Sequence, residues 1–450
     1  MPLLLVHFAR FGPYHHARLR SAADALSPLG WEVVGLETAG TDATYAWDET
    51  SGGASGPRVI TAFPGRVYEE ITAAECKQVL HPLLDKLIPD AMAIAGWSGA
   101  DALSCLSWCR KHDVKRIVMS ETREADGRRV WWKERIKRYL ISRFDGALVG
   151  GKSHCDYLVK LGMPADKIHF GYNVVDNAYF ETEVEKYRCF GVSDGGVSVR
   201  GIPRYFLASN RFIERKNLAR LIAAYALYLG RATTAGRALE SPEGDMCSDT
   251  PILAHPTPLA TSGPARRTSP TWNLCLLGDG ELKLSLIAQC HELGLTVKES
   301  APWESDRNTE TPKHRNTVFF PGFRQIEELP RFYAHAGCFV HPALEEPWGL
   351  VINEAMACGL PVLSGSNVGA AEELIDDGVN GWRFDAENVD EMAQLMSKIS
   401  AIDLPLAAFR AASARILEER CPTMAFGAGL ADLLTPGSLK NPTDPCMIHG

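Results

Sequence analysis

Short apolar runs alternate along the chain with stretches in which hydrophobic residues return every three or four positions. In the first part this pattern predicts strands at Leu3–His7, Glu32–Leu36, Ala91–Ala95, Arg116–Ser120, Ala147–Gly150 and Ile168–Tyr172. The longer spacing predicts helices at Tyr14–Leu26, Tyr68–Leu87, Ala102–Lys111 and Ser153–Leu161. Repeated strand–helix alternation of this kind builds a parallel sheet with helices on both faces.

The pattern breaks around Glu185–Arg200, where VSDGGVSVRG supplies turn residues, and then resumes. Strands follow at Tyr205–Ser209, Asn273–Leu277, Thr317–Phe320, Cys338–His341 and Pro361–Ser364. Helices follow at Asn217–Leu229, Leu282–Leu293, Glu327–Ala336, Leu350–Ala357 and Val389–Ile399. The fold class is therefore α/β, with two Rossmann-like doubly wound domains at 1–185 and 200–418 facing a central cleft. Two stretches, 231–271 and 299–316, are too polar and proline-rich to offset their ordering entropy, and read as flexible surface insertions.

Composition narrows the class. A chain of 450 residues exceeds a single ordinary core. Its net charge of −8 argues against bulk nucleic-acid binding. The twelve cysteines show no CxxC pair or metal-ligand spacing, so they read as buried apolar residues in a reducing, cytoplasmic setting with no metal site. MPLLLVHFARFG has a short apolar run without a basic region before it and reads as a first strand, not a leader. No window is apolar enough for a spanning helix.

Candidate chemistry concentrates in the second domain. In SNRFIERKNL, Arg211 and Lys216 flank the turn after a strand, where parallel folds bind ligands; a guanidinium fork and a mobile ammonium suit phosphate. In NLCLLGDGEL, Gly278, Asp279 and Gly280 make a small turn that lets backbone approach a ligand. It lacks the third glycine of a dinucleotide fingerprint. In HPALEEPWGLVINEAMACGLPVLSG, Glu346 lies in a loop and Glu354 inside a helix that starts at Gly349 or Leu350 and ends before Gly359 and Pro361. The N–H groups at that start favour an anion. The plain alternatives are a solvated loop for the cations, a helix cap for Glu346 and an exposed position for Glu354.

EPWGLVINE, with its two glutamates in E-x7-E spacing, resembles the retaining GT-B glycosyltransferases of family 4, the glycosyl transferases group 1. NRFIERKNL resembles that family's Arg-x4-Lys segment, LLGDGEL its Gly-Asp-Gly turn and VFFPGF the strand before its base pocket. GLPVLSGSNVGAAEELIDDGVNGWRF and GMPADKIHFGYNVVDNAYF fit its flanking segments, and CPTMAFGAGLADLL the helix, about 420–436, that crosses back onto the first domain. The resemblance implies transfer of a sugar from a nucleotide-diphosphate-sugar donor to a hydroxyl acceptor, glycan, lipid-linked or small. It implies that Arg211, Lys216 and Glu346 act on the reacting sugar phosphate. Glu354, Gly349, Leu350, Gly12, Gly278, Asp279, Gly322 and Phe323 would bind the donor, with Glu354 on the ribose. No D-x-D sequence is present, so metal-independent transfer without a cofactor is expected. The readings weighed against transfer are a sugar-nucleotide epimerase or phosphorylase on the same fold, and a catalytically silent sugar-nucleotide-binding module.

The match thins in the acceptor domain. The turn FARFGPYHHARL has Gly12 alone, with Tyr14 and His15 as acceptor contacts or else surface residues at a helix start. Where relatives carry a histidine after the middle strands, this chain has Trp97, Ser98, Ser120 and Glu121. Glu121 reads as an acceptor or catalytic group, or as a cap. GRRVWWKERIKRYLISRF reads as a core-packed helix with a solvated basic face, or as a peripheral membrane contact at an inner membrane face.

Overall fold

The computed structural model describes residues 1–43, 56–188, 204–237, 271–304 and 316–435. The first sheet comprises β1 Leu3–Phe8, β2 Glu32–Thr41, β3 Val59–Val67, β4 Ala91–Ala95, β5 Lys115–Ser120, β6 Gly146–Val149 and β7 Ile168–Phe170. The second comprises β8 Tyr205–Ser209, β9 Asn273–Leu277, β10 Thr296–Lys298, β11 Thr317–Gly322, β12 Cys338–His341, β13 Val362–Gly365 and β14 Gly381–Phe384. All described pairings are parallel, in the orders β3-β2-β1-β4-β5-β6-β7 and β10-β11-β9-β8-β12-β13-β14. Each order reverses direction once, between β1 and β4 and between β8 and β12. That crevice, beyond the strands' carboxyl ends, is where doubly wound sheets bind ligands.

Around the first sheet lie α1 Pro13–Leu26, α2 Ala73–Leu87, α3 Ala100–Lys111, α4 Trp131–Ile141 and α5 Lys152–Lys160, followed by α6 Asn177–Arg188, which packs on the second domain through Phe180 against Tyr333. Around the second lie α7 Leu218–Arg237, α8 Lys283–Glu292, α9 Leu329–His335, α10 Leu350–Ala357, α11 Gly369–Leu374, α12 Val389–Ile399 and α13 Leu406–Arg420. The last helix, α14 Ala425–Leu434, returns to the first domain, where Gly427 N–H donates to Ser21 Oγ at 3.0 Å. Side chains at Gly427 or Gly429 would collide with the Ser21 and Phe170 carbonyls, so small residues allow this close seating. Strand interiors such as Leu4–Val6 and Leu274–Leu276 are fully buried, which explains their unbroken apolar runs.

Several boundaries differ from those predicted. The helix expected from Tyr68 begins at Ala73, because Thr72 caps it by accepting from Glu75 N–H. Before it lies β3, unanticipated because VITAFPGRV contains Pro64 and Gly65; as the sheet's edge strand it tolerates the proline. The expected break at Glu185 is instead helical to Arg188, and residues 189–203 lie outside the described set. Residues 231–237 of the first expected insertion extend α7, while 238–270 lie outside the described residues. In the second, 305–315 likewise lie outside, but Ala301 is buried and Trp303 packs on Phe332 at 4.6 Å. That start of the segment is core rather than surface loop.

Candidate functional site

The exits of β8 and β12 bring Lys216 and Glu346 together. A turn at Glu214–Lys216 ends at Asn217, whose left-handed φ of 59° lets its amide donate to the carbonyls of Pro342 and Ala386, at 2.9 and 2.7 Å. Leu344 N–H donates to the Arg215 carbonyl at 3.0 Å, and Glu346 N–H to that of Asn367 at 3.1 Å. These bonds fix the two loops so that Lys216 Nζ donates to Glu346 Oε2, with Arg215 Nη1 at 3.9 Å from the same oxygen. Burial pushes Glu346 up, but Lys216 and its neighbours win and hold its carboxyl below the ordinary range. Burial lowers Lys216, with Arg215 and Arg211 adding to this and Glu346 opposing. Arg211, at the same exit, is half-buried.

Next to this pair lie two polar side chains with no hydrogen-bond partner. His341, at the end of β12, is fully buried with both ring nitrogens unpaired, and Asn210, after β8, has neither amide atom paired. Burial, then Lys216, pushes His341 down to about 3, so its ring is neutral. His341 and Asn210 both sit at the sheet's switch point. Gly349 is the N-cap of α10 with a φ of 104°, a conformation that favours glycine. It turns the chain so that the first N–H groups of α10, beginning with Leu350, open beside Glu346.

Glu354 is buried, not exposed. Its Oε1 accepts from the Tyr14 hydroxyl and its Oε2 from that of Tyr333, both at 2.7 Å. Tyr14 comes from the first domain and Tyr333 from α9, so the carboxyl joins the two halves of the cleft. Burial raises it to about 7, against the two tyrosine bonds that lower it. Each oxygen retains a second lone pair, but a ribose would have to share or displace the Tyr14 hydroxyl.

The opposing wall comes from the first domain. Gly12 caps α1 with an ordinary φ of −108°, and a Cβ there would meet nothing nearer than His15 Nδ1 at 3.7 Å. Neither backbone nor packing demands that glycine. His15 is not a free surface group: its Nδ1 accepts from Gly12 N–H at 2.9 Å and its ring lies on Phe8, while His16 is buried. Burial and the nearby Arg18 lower His15 well below its ordinary value, so the neutral ring carries its proton on Nε2. Buried Arg18 donates through Nε to the Val174 carbonyl at 3.1 Å, and its Nη2 has no partner.

Glu121 follows β5 and is open to water. Its charge is nevertheless influenced by residues of both domains. Desolvation raises it, Arg18 and Arg215 lower it, and Glu346 and Asp126 raise it further. No described residue hydrogen-bonds its carboxylate, and Ser120 Oγ, not Glu121, accepts the nearby Thr122 N–H at 3.2 Å. The capping alternative for Glu121 therefore fails. Trp97 is packed in the core, Ser98 is exposed and Ser120 is buried.

The Gly278-Asp279-Gly280 turn approaches protein backbone. A Cβ at Gly278 would lie 1.9 Å from the Asn210 carbonyl oxygen, and one at Gly280 2.7 Å from that of Phe212. These glycines let the β9 exit support the 210–212 loop, while Asp279 is exposed and its Oδ1 accepts from Gly280 N–H at 2.7 Å. Gly322, with a φ of 85°, and half-exposed Phe323 lie at the exit of β11. Arg123 was not anticipated, although TREAD after β5 is dense in charge. It is 1% exposed; Nη1 reaches Glu372 Oε1 at 2.9 Å and Nη2 the Asn367 carbonyl at 3.2 Å, locking the domains beside the cleft. Arg215, Arg18, Tyr333, His341 and Asn210 were also missed. Only Arg215, adjacent to Lys216, had a sequence signal.

No group of three or more His, Cys, Asp or Glu among the described residues is placed to hold a metal ion. The nine described cysteines are free and buried.

The sequence profile of the glycosyl transferases group 1 matches residues 308–413, which carry Glu346 and Glu354. Sucrose synthase 6 of Arabidopsis thaliana is 51% identical over 83 residues, 18% of this chain. The matched region spans only 8% of that enzyme's length. HepE of Anabaena, solved with UDP, superposes with a TM-score of 0.60 at 17% identity, covering 96% of this chain and 99% of its own. Sucrose-phosphate synthase of Thermosynechococcus elongatus superposes at 0.62 with 14% identity, covering 96% and 98%. Residues 308–413 thus match the glycosyl transferases group 1 profile, and the two-sheet frame that carries them has the GT-B fold.

Proposed function

We propose that the protein transfers a sugar, with retention, from a nucleoside-diphosphate sugar to a hydroxyl acceptor. One observation carries the reading. Lys216 and Glu346 are paired at the second sheet's switch point, beside the start of α10. A diphosphate lying at the α10 N-terminus would meet Lys216, Arg211 and Arg215. These cations would stabilise the charge that develops on the leaving phosphate as its bond to the sugar's C1 breaks. Lys216 has three donors and can keep Glu346 while binding phosphate. Glu346 would hold donor-sugar hydroxyls and Glu354 the ribose, with Gly322 and Phe323 beside the base. In this reading the acceptor oxygen bonds C1 on the face the phosphate leaves, and the acceptor proton passes to the departing phosphate. Glu121, His15 and Tyr14 border the acceptor side. Protein cations do the work of charge neutralisation, so we read transfer as independent of metal.

HepE, to which this fold is similar, was solved with UDP and with UDP-glucose, which makes uridine donors the first to try. A thermal-shift panel of nucleoside diphosphates and their sugars tests the reading. A cognate donor at 100 times its Kd stabilises by about 2.7 kcal/mol. Proton NMR of the product then reads the anomeric configuration. No shift with any nucleotide, or an inverted product, refutes the proposal.

A further inference from the structure

Helix α4 turns two of its charged residues toward the protein and its aromatic residues away from it. Lys137 Nζ donates to Glu134 Oε1 and to the Tyr157 hydroxyl, both at 2.9 Å, and that hydroxyl donates to Glu134 Oε2 at 2.8 Å. Arg129 lies over the Tyr157 ring at 4.5 Å. Its aromatic residues face solvent, with Trp131 77%, Tyr139 55%, Ile136 51% and Trp132 48% exposed. At about 100° per residue, Trp131, Arg135, Tyr139, Trp132 and Ile136 fall in one arc of roughly 140°. These five side chains line a single shallow surface concavity.

Charge identifies what would cover this face. The segment Gly127–Phe144 holds seven cations and one acid, a net of +6 in a chain of net −8. Arg128, Lys133, Arg135 and Arg138 are exposed around the aromatic arc, whereas Glu134, the one acid, is turned inward. Lys133 lies over the Trp132 ring at 5.5 Å and Arg143 over that of Tyr139 at 4.4 Å. On the neighbouring loop, Glu124 is neutralised by Lys160 and Asp126 by Arg123. Exposed Trp and Tyr ringed by unopposed cations match the boundary of an anionic bilayer, where indole and phenol rings sit at headgroup depth. A protein partner would not require so complete an exclusion of acids. Among the described residues no helix is long and apolar enough to cross a membrane, so contact here is peripheral.

We propose that the outer face of α4 docks the protein on an anionic lipid surface. In a parallel sheet, the helix after β5 starts at the edge where the strands end, the edge that carries Glu121. Docking through Trp131 and Trp132 therefore brings the bilayer beside the cleft. The proposal does not rest on the assigned reaction, because its test needs no turnover.

The test is co-sedimentation of the full chain with vesicles of phosphatidylserine and phosphatidylcholine, compared with phosphatidylcholine alone, together with tryptophan emission. We expect binding to the anionic vesicles with a blue shift, at least about tenfold weaker on the neutral ones. Trp131→Ser with Trp132→Ser should lower binding at least about tenfold, and Lys133→Gln with Arg135→Gln by about fivefold per cation. These side chains are exposed, so circular dichroism and melting should be unchanged in both variants. Absence of lipid-dependent binding, or equal binding by the serine variant, overturns the proposal. Self-association abolished by the serine substitutions, without vesicle binding, also overturns it and makes the face an interface between copies.

Discussion

Replacing Glu354 by glutamine should stabilise this protein at alkaline pH and leave its acid stability nearly unchanged. The carboxyl is buried between two tyrosine hydroxyls, and its pKa is raised from 4.5 to about 7. Between those values the native state binds more protons at this site than the unfolded state. Glu354 therefore makes stability fall as pH rises through that window, and the fall is complete above the folded value. A shift of that size corresponds to about 3 kcal/mol. Glutamine carries no charge at any pH, can accept from one tyrosine and can donate to the other. The assay is urea unfolding of both proteins across the window. Ionisations common to the two cancel, and a pH-independent offset from the altered hydrogen bonds leaves the slope untouched. The variant should gain about 3 kcal/mol relative to wild type between pH values near 4.5 and 8. A difference that stays flat, or that moves against the variant as pH rises, would refute the reasoning. The gain should accompany weaker donor binding, as when a strained functional group is removed.

Lys216→Ala should lower kcat by roughly 10²-fold or more, as when one preorganised transition-state donor is removed, and wild-type turnover would exclude the phosphate assignment. It should also destabilise the second domain, because buried Glu346 loses its hydrogen-bonded cation and keeps only Arg215 at 3.9 Å, an effect visible in the melting temperature. Glu121→Gln should reduce kcat by at least about 10²-fold with the donor's thermal shift unchanged; an unaltered rate would place Glu121 outside the chemistry. Two glycine substitutions should separate structural need from ligand need. Gly278→Ala should cost roughly 3 kcal/mol in unfolding experiments, since its Cβ would collide with the Asn210 carbonyl. Gly12→Ala should leave stability within about 0.5 kcal/mol while weakening donor binding, because only a ligand would occupy the space beside it.

Local signals specified most of the fold. Strands such as Ala91–Ala95 and Tyr205–Ser209 are buried except at their last residues and apolar apart from Ser209, and their flanking turns mark where they stop. The strand at Val59–Val67 was hidden because an edge position permits Pro64 and Gly65, residues that argue against a strand anywhere more central. The candidate site was legible where its residues lie close in sequence, as with Glu346, Gly349 and Glu354. It was not legible where distant elements meet. Nothing near Tyr333 marks it as a partner of Glu354, and nothing near Arg18 shows that it reaches the carbonyl of Val174. The surroundings of Gly278 were hidden for the same reason. The turn was visible, but the backbone it approaches lies on another strand's exit. Arg123 is a further case: only the tertiary arrangement shows that it bolts one domain to the other.

The return of α14 to the first domain also bears on how the chain is made. Phe426 and Leu430 are fully buried in the same core as Leu4 and Leu19, and the bond joining this helix to Ser21 spans 406 positions. A ribosome releases the first sheet long before it releases the helix that closes one of its faces. Until then the apolar side of α1 stays uncovered while an entire second domain is synthesised and folds. The nascent protein is thus vulnerable to aggregation through this uncovered face, and the first sheet reaches its final stability only after α14 has emerged.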